Sequence, residues 1–210
     1  MRIALLVFDR LTALDAVGPY EVLSRLPNAE LRLVGKEVGV KRTDTGALGL
    51  EADLALSDLT DPDVLLVPGG PGSRPLMSDP DVLDWVRAAH EGSTWTTSVC
   101  TGALVLAAAG LLDGKRATTH WAYLDRLREL GAEPVSERVV EDGKVITAAG
   151  VSAGIDMALG LAARLAGEEV ARAIQLGIEY DPQPPFDSGS PAKAHPDVIG
   201  LVRAAGERPS

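Results

Sequence analysis

The chain has 210 residues, 46% of them hydrophobic, which favours one folded domain with a substantial core over a disordered chain. Its formal net charge is −10 at pH 7, which argues against non-specific binding to nucleic acid, because that requires Lys and Arg clusters that displace counterions. The chain has a single cysteine, so an internal disulfide is excluded and a reducing cytosol is the expected compartment.

Two apolar stretches bear on a membrane location. Ile3–Phe8 near the N-terminus is too short for the core of a signal peptide or for a membrane span. The longer run Ile155–Ala166 is interrupted by Asp156 and Arg164, which is typical of a buried helix. We therefore expect a soluble, cytoplasmic protein with no membrane association.

Strand and helix patterns alternate along the chain. Arg2–Phe8 is typical of a parallel strand buried on both faces. A helix from Asp15 to about Leu26 follows, with Pro27 ending it and Asp15 as a candidate N-cap. The same patterns predict strand Ala29–Gly35, hairpin Val40–Asp53, strand Asp63–Pro68, helix Asp81–His90, strand Trp95–Val99, helix Ala103–Ala109, strand Ala117–Thr119, helix Tyr123–Leu130, hairpin Val135–Ile146, and helices Ile155–Ala166 and Glu168–Tyr180.

The C-terminal part differs from this alternation. Asp181–Pro191 is rich in proline, which removes backbone donors, so it predicts an ordered arm without regular structure. His195–Ala205 predicts a final short helix. The whole pattern predicts one α/β domain over residues 1–210, a three-layer sandwich with a mostly parallel sheet.

The stretch around Cys100 is the strongest candidate for a reactive site. A β-prone run, Trp95–Val99, stops at Cys100 and passes through Thr101 and Gly102 into a helix of small apolar residues. A sharp strand-to-helix turn at a nucleophile exposes its side chain at the end of the sheet. The alternative is a small buried hydrophobe, since free cysteine is among the most buried residue types.

Two other segments place groups at the same edge of the sheet, where ligands bind in parallel α/β folds. Asp15 follows the first strand, and Gly69-Gly70 follow the strand Asp63–Pro68. The glycine turn lacks the spacing of a phosphate or dinucleotide loop, and a plain turn is the alternative. We expect the N–H groups of Gly70 and Thr101 to face charge that develops on a substrate.

The proposed acid and thiol raise an electrostatic conflict, because two anions in one pocket repel each other. The conflict is resolved if Asp15 is protonated while Cys100 is ionised, the pKa of Asp15 being raised by burial and by its neighbour. A helix N-terminus behind Cys100 would stabilise its thiolate. Asp15 would then be a proton donor.

The three histidines predict no metal site, since His90, His120 and His195 have no close His or Cys partner. His120, which follows two threonines and precedes Trp121, has two interpretations. It is either a structural histidine or a residue that lines the pocket and acts as a base.

Several blocks of the sequence resemble the ThiJ/PfpI superfamily, a flavodoxin-type sandwich similar to class I glutamine amidotransferases, and within it the isonitrile (isocyanide) hydratase subgroup. The blocks are Leu14-Asp15, Gly18-Pro19, Val67–Gly70, Ser98–Gly102, Ala117–Trp121, Gly150–Asp156 and Gln175–Phe186. The resemblance covers most of Arg2–Pro191 and is weakest at Val40–Glu51. The elbow block alone is not diagnostic, because sensor domains of some AraC-type regulators share it.

The resemblance implies a role for each matching position. Cys100 matches the nucleophile, Asp15 the acidic partner and Thr101 the hydroxyl residue beside the cysteine. Gly69, Gly70, Gly150 and Val151 are the implied substrate-binding residues. The resemblance implies a homodimer, for which the Asp181–Pro191 arm is the candidate interface. We expect no cofactor, no metal and no nucleic-acid partner.

Two positions separate this chain from other branches of the superfamily. Thr101 stands where hydrolytic branches place a histidine, which argues against proteolysis. Asp15 is shorter than the Glu of the deglycase branch, which argues against that activity.

The implied reaction adds water to an isonitrile and yields an N-substituted formamide through a thioimidate on Cys100, with Asp15 as acid and base. Two alternatives remain. One is a non-catalytic small-molecule or redox sensor, and the other is a different thiol-dependent enzyme directed at glyoxals.

Overall fold

The structure, a computed structural model, describes residues 1–206, and the chain divides into a unit Met1–Ile178 and a second unit that begins at Glu179. The strands are β1 Arg2–Leu6, β2 Glu30–Gly35, β3 Gly39–Arg42, β4 Gly49–Ala52, β5 Leu54–Ala55, β6 Val64–Val67, β7 Trp95–Val99, β8 Arg116–Ala117, β9 Glu133–Pro134, β10 Val139–Asp142 and β11 Val145–Ala148. The helices are α1 Ala13–Leu23, α2 Ser73–Leu76, α3 Pro80–Gly92, α4 Gly102–Ala108, α5 Leu124–Glu129, α6 Ala153–Ala166, α7 Glu168–Gly177 and α8 Pro196–Gly206.

The first unit is built on a seven-stranded sheet in the order β10-β11-β7-β6-β1-β2-β5. Its strands are parallel except β10, which pairs antiparallel with β11 at one edge. The sheet is flanked by helices, so the predicted α/β sandwich with a mostly parallel sheet is confirmed.

The order of the strands fixes where a ligand site can form. β1 lies between β2 and β6, so the chain builds the sheet outward from β1 in both directions. Parallel sheets form a crevice at such a switch point, outside the carboxyl ends of the strands. The segments after β1, β6 and β7 therefore converge at one edge.

The central strands are buried because helices cover both faces of the sheet. All four residues of β6 and Ile3–Leu6 of β1 are buried, as the continuous apolar runs predict. In one group of helices α6 contacts both α1 and α7, and in another α4 contacts α2, α3 and α5. The largest fully buried side chains include Ile3, Leu5, Leu65, Leu66, Leu106 and Leu161.

The start of α1 corrects one prediction. The helix begins at Ala13 with Thr12 as its N-cap, so Asp15 lies in the first turn and is not the N-cap. The Thr12 hydroxyl donates to Asp44 Oδ2 at 2.9 Å and does not cap the helix. This frees the Asp15 carboxylate from a local structural role. Smaller differences include the ends of α1 at Leu23 rather than about Leu26 and of α7 at Gly177 rather than Tyr180, and the short elements α2, β5 and β9, which no pattern predicted.

The second unit contains the proline-rich segment and α8. Residues 181–195 carry neither helix nor strand, and Lys193 Nζ pairs with Asp187 Oδ1 at 2.9 Å within that segment. α8 spans Pro196–Gly206, one residue later at each end than predicted. Within residues 1–206, none of the helices has the length and apolar content that crossing a bilayer requires.

Candidate active site

Cys100 lies between β7 and α4, as the elbow pattern predicts. Its φ is +57°, an unusual value for a residue with a side chain, and its exposure is 6%. Gly102 lets α4 start directly against β6, because a Cβ there would lie 2.0 Å from the carbonyl oxygen of Val67. The turn therefore fixes the thiol at the carboxyl edge of the sheet.

The environment of the thiol differs from the expected one. The backbone N–H groups of Thr101 and Val151 hydrogen-bond the Cys100 sulfur and lower its pKa. Burial and the neighbouring Asp15 carboxylate outweigh them, so the pKa of Cys100 is raised above its ordinary value. Burial therefore favours a protonated thiol in the resting site, which is the opposite direction from the expected thiolate.

Asp15 is fully buried and faces the thiol. Its Oδ2 accepts a hydrogen bond from the Gly69 N–H at 3.0 Å, while no described residue gives Oδ1 a hydrogen bond of good geometry. Burial raises the pKa of Asp15 to about 7, against the lowering effects of the Gly69 N–H and the Cys100 thiol, and Asp44 raises it further. The predicted direction of this pKa shift agrees with the structure, and burial is its main cause.

The glycine turn after β6 has a different role from the predicted one. The Gly70 N–H donates to Thr101 Oγ1 at 2.9 Å, and the Thr101 hydroxyl donates back to the Gly70 carbonyl at 3.3 Å. Gly70 therefore has no free N–H to direct at a substrate. A Cβ on Gly69 would lie 2.5 Å from the Thr101 nitrogen and 2.9 Å from Asp15 Oδ2, so only glycine fits there.

Gly150 and Val151 lie on the other side of Cys100, after β11. Val151 has φ +35°, a strained value for a β-branched residue, and both residues are partly exposed. The Cys100 N–H donates to the Ala148 carbonyl at 3.0 Å, which ties this segment to the elbow. The structure therefore places the Val151 N–H against the thiol, with Gly150 directly before it in the chain.

His120 also lies beside this edge. Thr119 donates its hydroxyl to the Cys100 carbonyl at 2.8 Å, and a Cβ on Gly150 would lie 2.7 Å from His120 Cδ2. The Nδ1 atom of His120 accepts the Ala122 N–H, and burial lowers the pKa of the ring. His120 is therefore a neutral ring that covers Gly150.

The other two histidines belong to different parts of the chain. His90 is hydrogen-bonded to Thr96 at 2.8 Å near the start of β7, and His195 lies in the second unit. Within residues 1–206 there is no group of three His, Cys, Asp or Glu side chains that could hold a metal ion.

Three residues at the site were missed by the sequence analysis. Ser73 bonds Gly70 and Thr101, Asp44 faces the α1 start, and Thr119 holds the Cys100 carbonyl. Ser73 carries a usable signal, because a serine three residues after the end of a turn often hydrogen-bonds back to the turn carbonyl. Asp44 and Thr119 carry none, since their contacts are long-range.

The fold and this edge of the sheet define an α/β protein with a cysteine on a strand-to-helix elbow. Residues 1–164 match the DJ-1/PfpI family, so the chain belongs to that family. It is 49% identical to the isonitrile hydratase of Pseudomonas putida over 203 residues, 97% of this chain and 89% of that protein.

Two further relatives widen the comparison. The transcriptional regulator CdhR of Pseudomonas aeruginosa is 34% identical over 82% of this chain, which corresponds to 52% of the regulator. The crystal structure of a ThiJ/PfpI family protein from Pseudomonas syringae superimposes with a TM-score of 0.94 at 37% identity. That superposition covers 98% of this chain and 86% of the other.

Proposed function

We propose that the chain is an isonitrile hydratase that converts an isonitrile and water to an N-substituted formamide. The observation that carries the proposal is the 49% identity to the Pseudomonas putida isonitrile hydratase over 97% of this chain. The contact between the Cys100 thiol and the Asp15 carboxyl supports it, because it supplies a nucleophile and an acid side by side.

The first step follows from the way Cys100 and Asp15 share one acidic proton. When Asp15 is ionised, the only acidic proton of the pair is on Cys100, whose pKa is the higher. Transfer of this proton to Asp15 gives a thiolate beside a carboxylic acid, and the Thr101 and Val151 N–H groups stabilise the sulfur anion. Asp15 then protonates the terminal carbon of the isonitrile while the sulfur bonds to that carbon. The product is a thioimidate, R–N=CH–S–Cys100.

The second step hydrolyses the thioimidate and regenerates Cys100 and Asp15. The Asp15 carboxylate takes a proton from water, the hydroxide adds to the thioimidate carbon, and Asp15 returns that proton to the nitrogen. Collapse of R–NH–CH(OH)–S breaks the carbon–sulfur bond, and the hydroxyl proton passes to Asp15. The formamide leaves, so one group alternates between acid and base.

Asp15 is suited to this role because its pKa of about 7 allows both protonation states near neutral pH. The buried Oδ1, which has no good hydrogen-bond donor among residues 1–206, is the atom best placed to handle the transferred proton. Thr101 contributes its N–H to the sulfur, and its hydroxyl holds the Gly70 turn. We assign substrate contact to Gly150 and Val151 on the partly exposed side.

The test is formamide production from a panel of small isonitriles that includes cyclohexyl isocyanide. We expect turnover by the wild type and none by Cys100→Ala, because the covalent step needs the sulfur. Cys100→Ser is the matched control that keeps a smaller nucleophile, and it should also be inactive. Formamide production by Cys100→Ala would contradict the mechanism. A wild type without formamide production would contradict the function.

Two other functions are distinguished by the same protein preparation. A glyoxal-directed enzyme would convert methylglyoxal to lactate, and a sensor would turn over neither substrate. The identity to CdhR supports the sensor alternative only at the level of the domain, since this chain corresponds to 52% of that regulator.

We further propose that the protein is a cytoplasmic homodimer forming a single functional domain over residues 1–210, without nucleic-acid partners. The formal net charge of −10 supports the absence of nucleic-acid partners. Light scattering coupled to size exclusion should give twice the chain mass, and a monomer would contradict the homodimer.

A further inference from the structure

We infer that Ser73 is a positioning residue for Asp15, and that it acts through Thr101 and the Gly69-Gly70 turn. The inference rests on the proposed hydratase function, since Asp15 is the acid of that reaction. Ser73 is the first residue of α2 and is 1% exposed. It has no contact with the reacting atoms.

The Ser73 hydroxyl is part of a buried group of three oxygen atoms. It donates to the Gly70 carbonyl at 2.8 Å and lies within donating distance of Thr101 Oγ1 at 3.0 Å. The Thr101 hydroxyl reaches the same carbonyl at 3.3 Å. Because each hydroxyl has one proton, three oxygen atoms share two protons. Ser73 therefore limits the orientations that the Thr101 hydroxyl can adopt.

The consequence for Gly70 is that both of its backbone polar groups are held. Its N–H donates to Thr101 Oγ1, and its carbonyl accepts from the Ser73 hydroxyl and from the Ser73 N–H at 3.0 Å. The preceding residue is held in the same way. The Gly69 N–H donates to Asp15 Oδ2, and the Gly69 carbonyl accepts the N–H of Thr12, the N-cap of α1.

These bonds form a continuous path from Ser73 to the acid. A change in the Thr101 rotamer moves the Gly70 N–H and with it the Gly69 carbonyl, because the two share one rigid peptide unit. The Gly69 Cα joins this unit to the peptide that carries the Gly69 N–H, so that donor shifts as well. That N–H is the donor that lowers the pKa of Asp15. The other titratable groups facing Asp15 are Cys100 and Asp44, and neither contacts Ser73.

Ser73→Ala separates positioning from a purely structural role. The variant keeps the Ser73 backbone N–H to Gly70, and the Thr101 hydroxyl still reaches the Gly70 carbonyl, so the turn has a donor left. We expect kcat to fall by ~10-fold with KM within ~2-fold, because only the placement of the acid changes. The rise of kcat with pH, which follows the ionisation of Asp15, should also move to higher pH, since a weaker Gly69 N–H bond raises the pKa of Asp15.

The matched control is Ser78→Ala, an exposed serine just after α2. It should keep the wild-type kcat and pH profile. Wild-type values for Ser73→Ala would overturn the inference. If Ser73→Ala does not fold, Ser73→Cys keeps the side-chain size with a weaker donor. It should lose less kcat and show a pH shift of kcat in the same direction. An unshifted pH dependence of kcat in Ser73→Cys would count against the inference.

A double-mutant cycle tests the path itself. If Ser73 acts through Thr101, adding Ser73→Ala to Thr101→Val should cause no further loss of kcat. Two losses that multiply would show that Ser73 acts by another route.

The last measurement separates this inference from the proposed function. Cys100 is the only cysteine, so alkylation by iodoacetamide reports its ionisation and its coupling to Asp15 without an isonitrile. If the wild type makes no formamide, the function is wrong, and the alkylation profile decides the inference alone. We expect the pH dependence of alkylation to shift in Ser73→Ala and to stay unchanged in Ser78→Ala. An unchanged pH dependence in Ser73→Ala would overturn the inference that Ser73 positions Asp15.

Discussion

The two sides of Cys100 differ in burial and in hydrogen bonding. On the β6 side, Asp15, Gly69 and Gly70 are buried, and the backbone groups of the turn are paired. On the β11 side, Gly150 and Val151 are partly exposed and Val151 has a strained φ of +35°. The groups on the buried side control the protonation of Asp15 and Cys100, and a substrate can approach from the open side.

This contrast assigns different effects to substitutions on the two sides. Changes on the buried side should alter proton transfer and therefore kcat and its pH dependence. Changes on the open side should alter KM more than kcat.

Asp15→Asn should have the largest effect on the buried side. Asn keeps the shape of the side chain but cannot transfer the proton, so we expect kcat to fall by ~100-fold or more. The wild-type rate should rise as the pH rises through about 7, because the mechanism starts from an ionised Asp15 that takes the proton of Cys100. Steady-state kinetics across the pH range test both points, and a variant that keeps most of the rate would show that Asp15 is not the acid.

Gly69→Ala should have the next largest effect. The added Cβ would meet the Thr101 nitrogen at 2.5 Å and Asp15 Oδ2 at 2.9 Å, so the acid and the elbow must separate. We expect a loss of kcat of ~10-fold or more and a lower free energy of unfolding, by ~1–3 kcal/mol. Gly177→Ala is the matched control, because a Cβ there meets nothing within 4 Å. Equal behaviour of the two variants would mean that the tight packing at Gly69 is unimportant.

The burial of Asp15 should also make the protein less stable at high pH. Its pKa is about 7 in the folded state against 3.8 for an unperturbed aspartic acid, so its contribution to stability is present at low pH and is lost as the pH rises through 7. Asp15→Asn should therefore be more stable than the wild type at pH 8, by up to ~4 kcal/mol. The difference should shrink towards pH 4. Urea denaturation at both pH values measures it, and a variant less stable at pH 8 would contradict the cause given for the shift.

His120→Ala should have the smallest effect on kcat, since His120 lies on the open side. Burial keeps the ring neutral near pH 7, and its Nδ1 accepts a backbone N–H. We expect KM to rise, and kcat to fall by less than ~5-fold. His90→Ala, whose side chain is hydrogen-bonded to Thr96 near the start of β7, should change neither. A kcat loss as large as that of Asp15→Asn would make His120 a base in the reaction.

The sequence alone determined the elements and the edge at which they meet. Continuous apolar runs such as Ile3–Phe8 identify buried parallel strands, and the strand-to-helix junction identifies Cys100. Strand ends of a parallel sheet share one edge, so Asp15, Gly69-Gly70 and Cys100 could be placed together before any contact was known. These are local patterns, with short-range physical causes.

Only the tertiary structure determined which backbone N–H group hydrogen-bonds to which acceptor. The Gly70 N–H binds Thr101, the Gly69 N–H binds Asp15, and the Val151 N–H reaches the sulfur. Burial likewise raises the pKa of the Cys100 thiol, because the cost of desolvating a charge depends on the whole surrounding fold. Hydrogen-bond partners and desolvation are set by residues far apart in the chain, and no local pattern of residues records them.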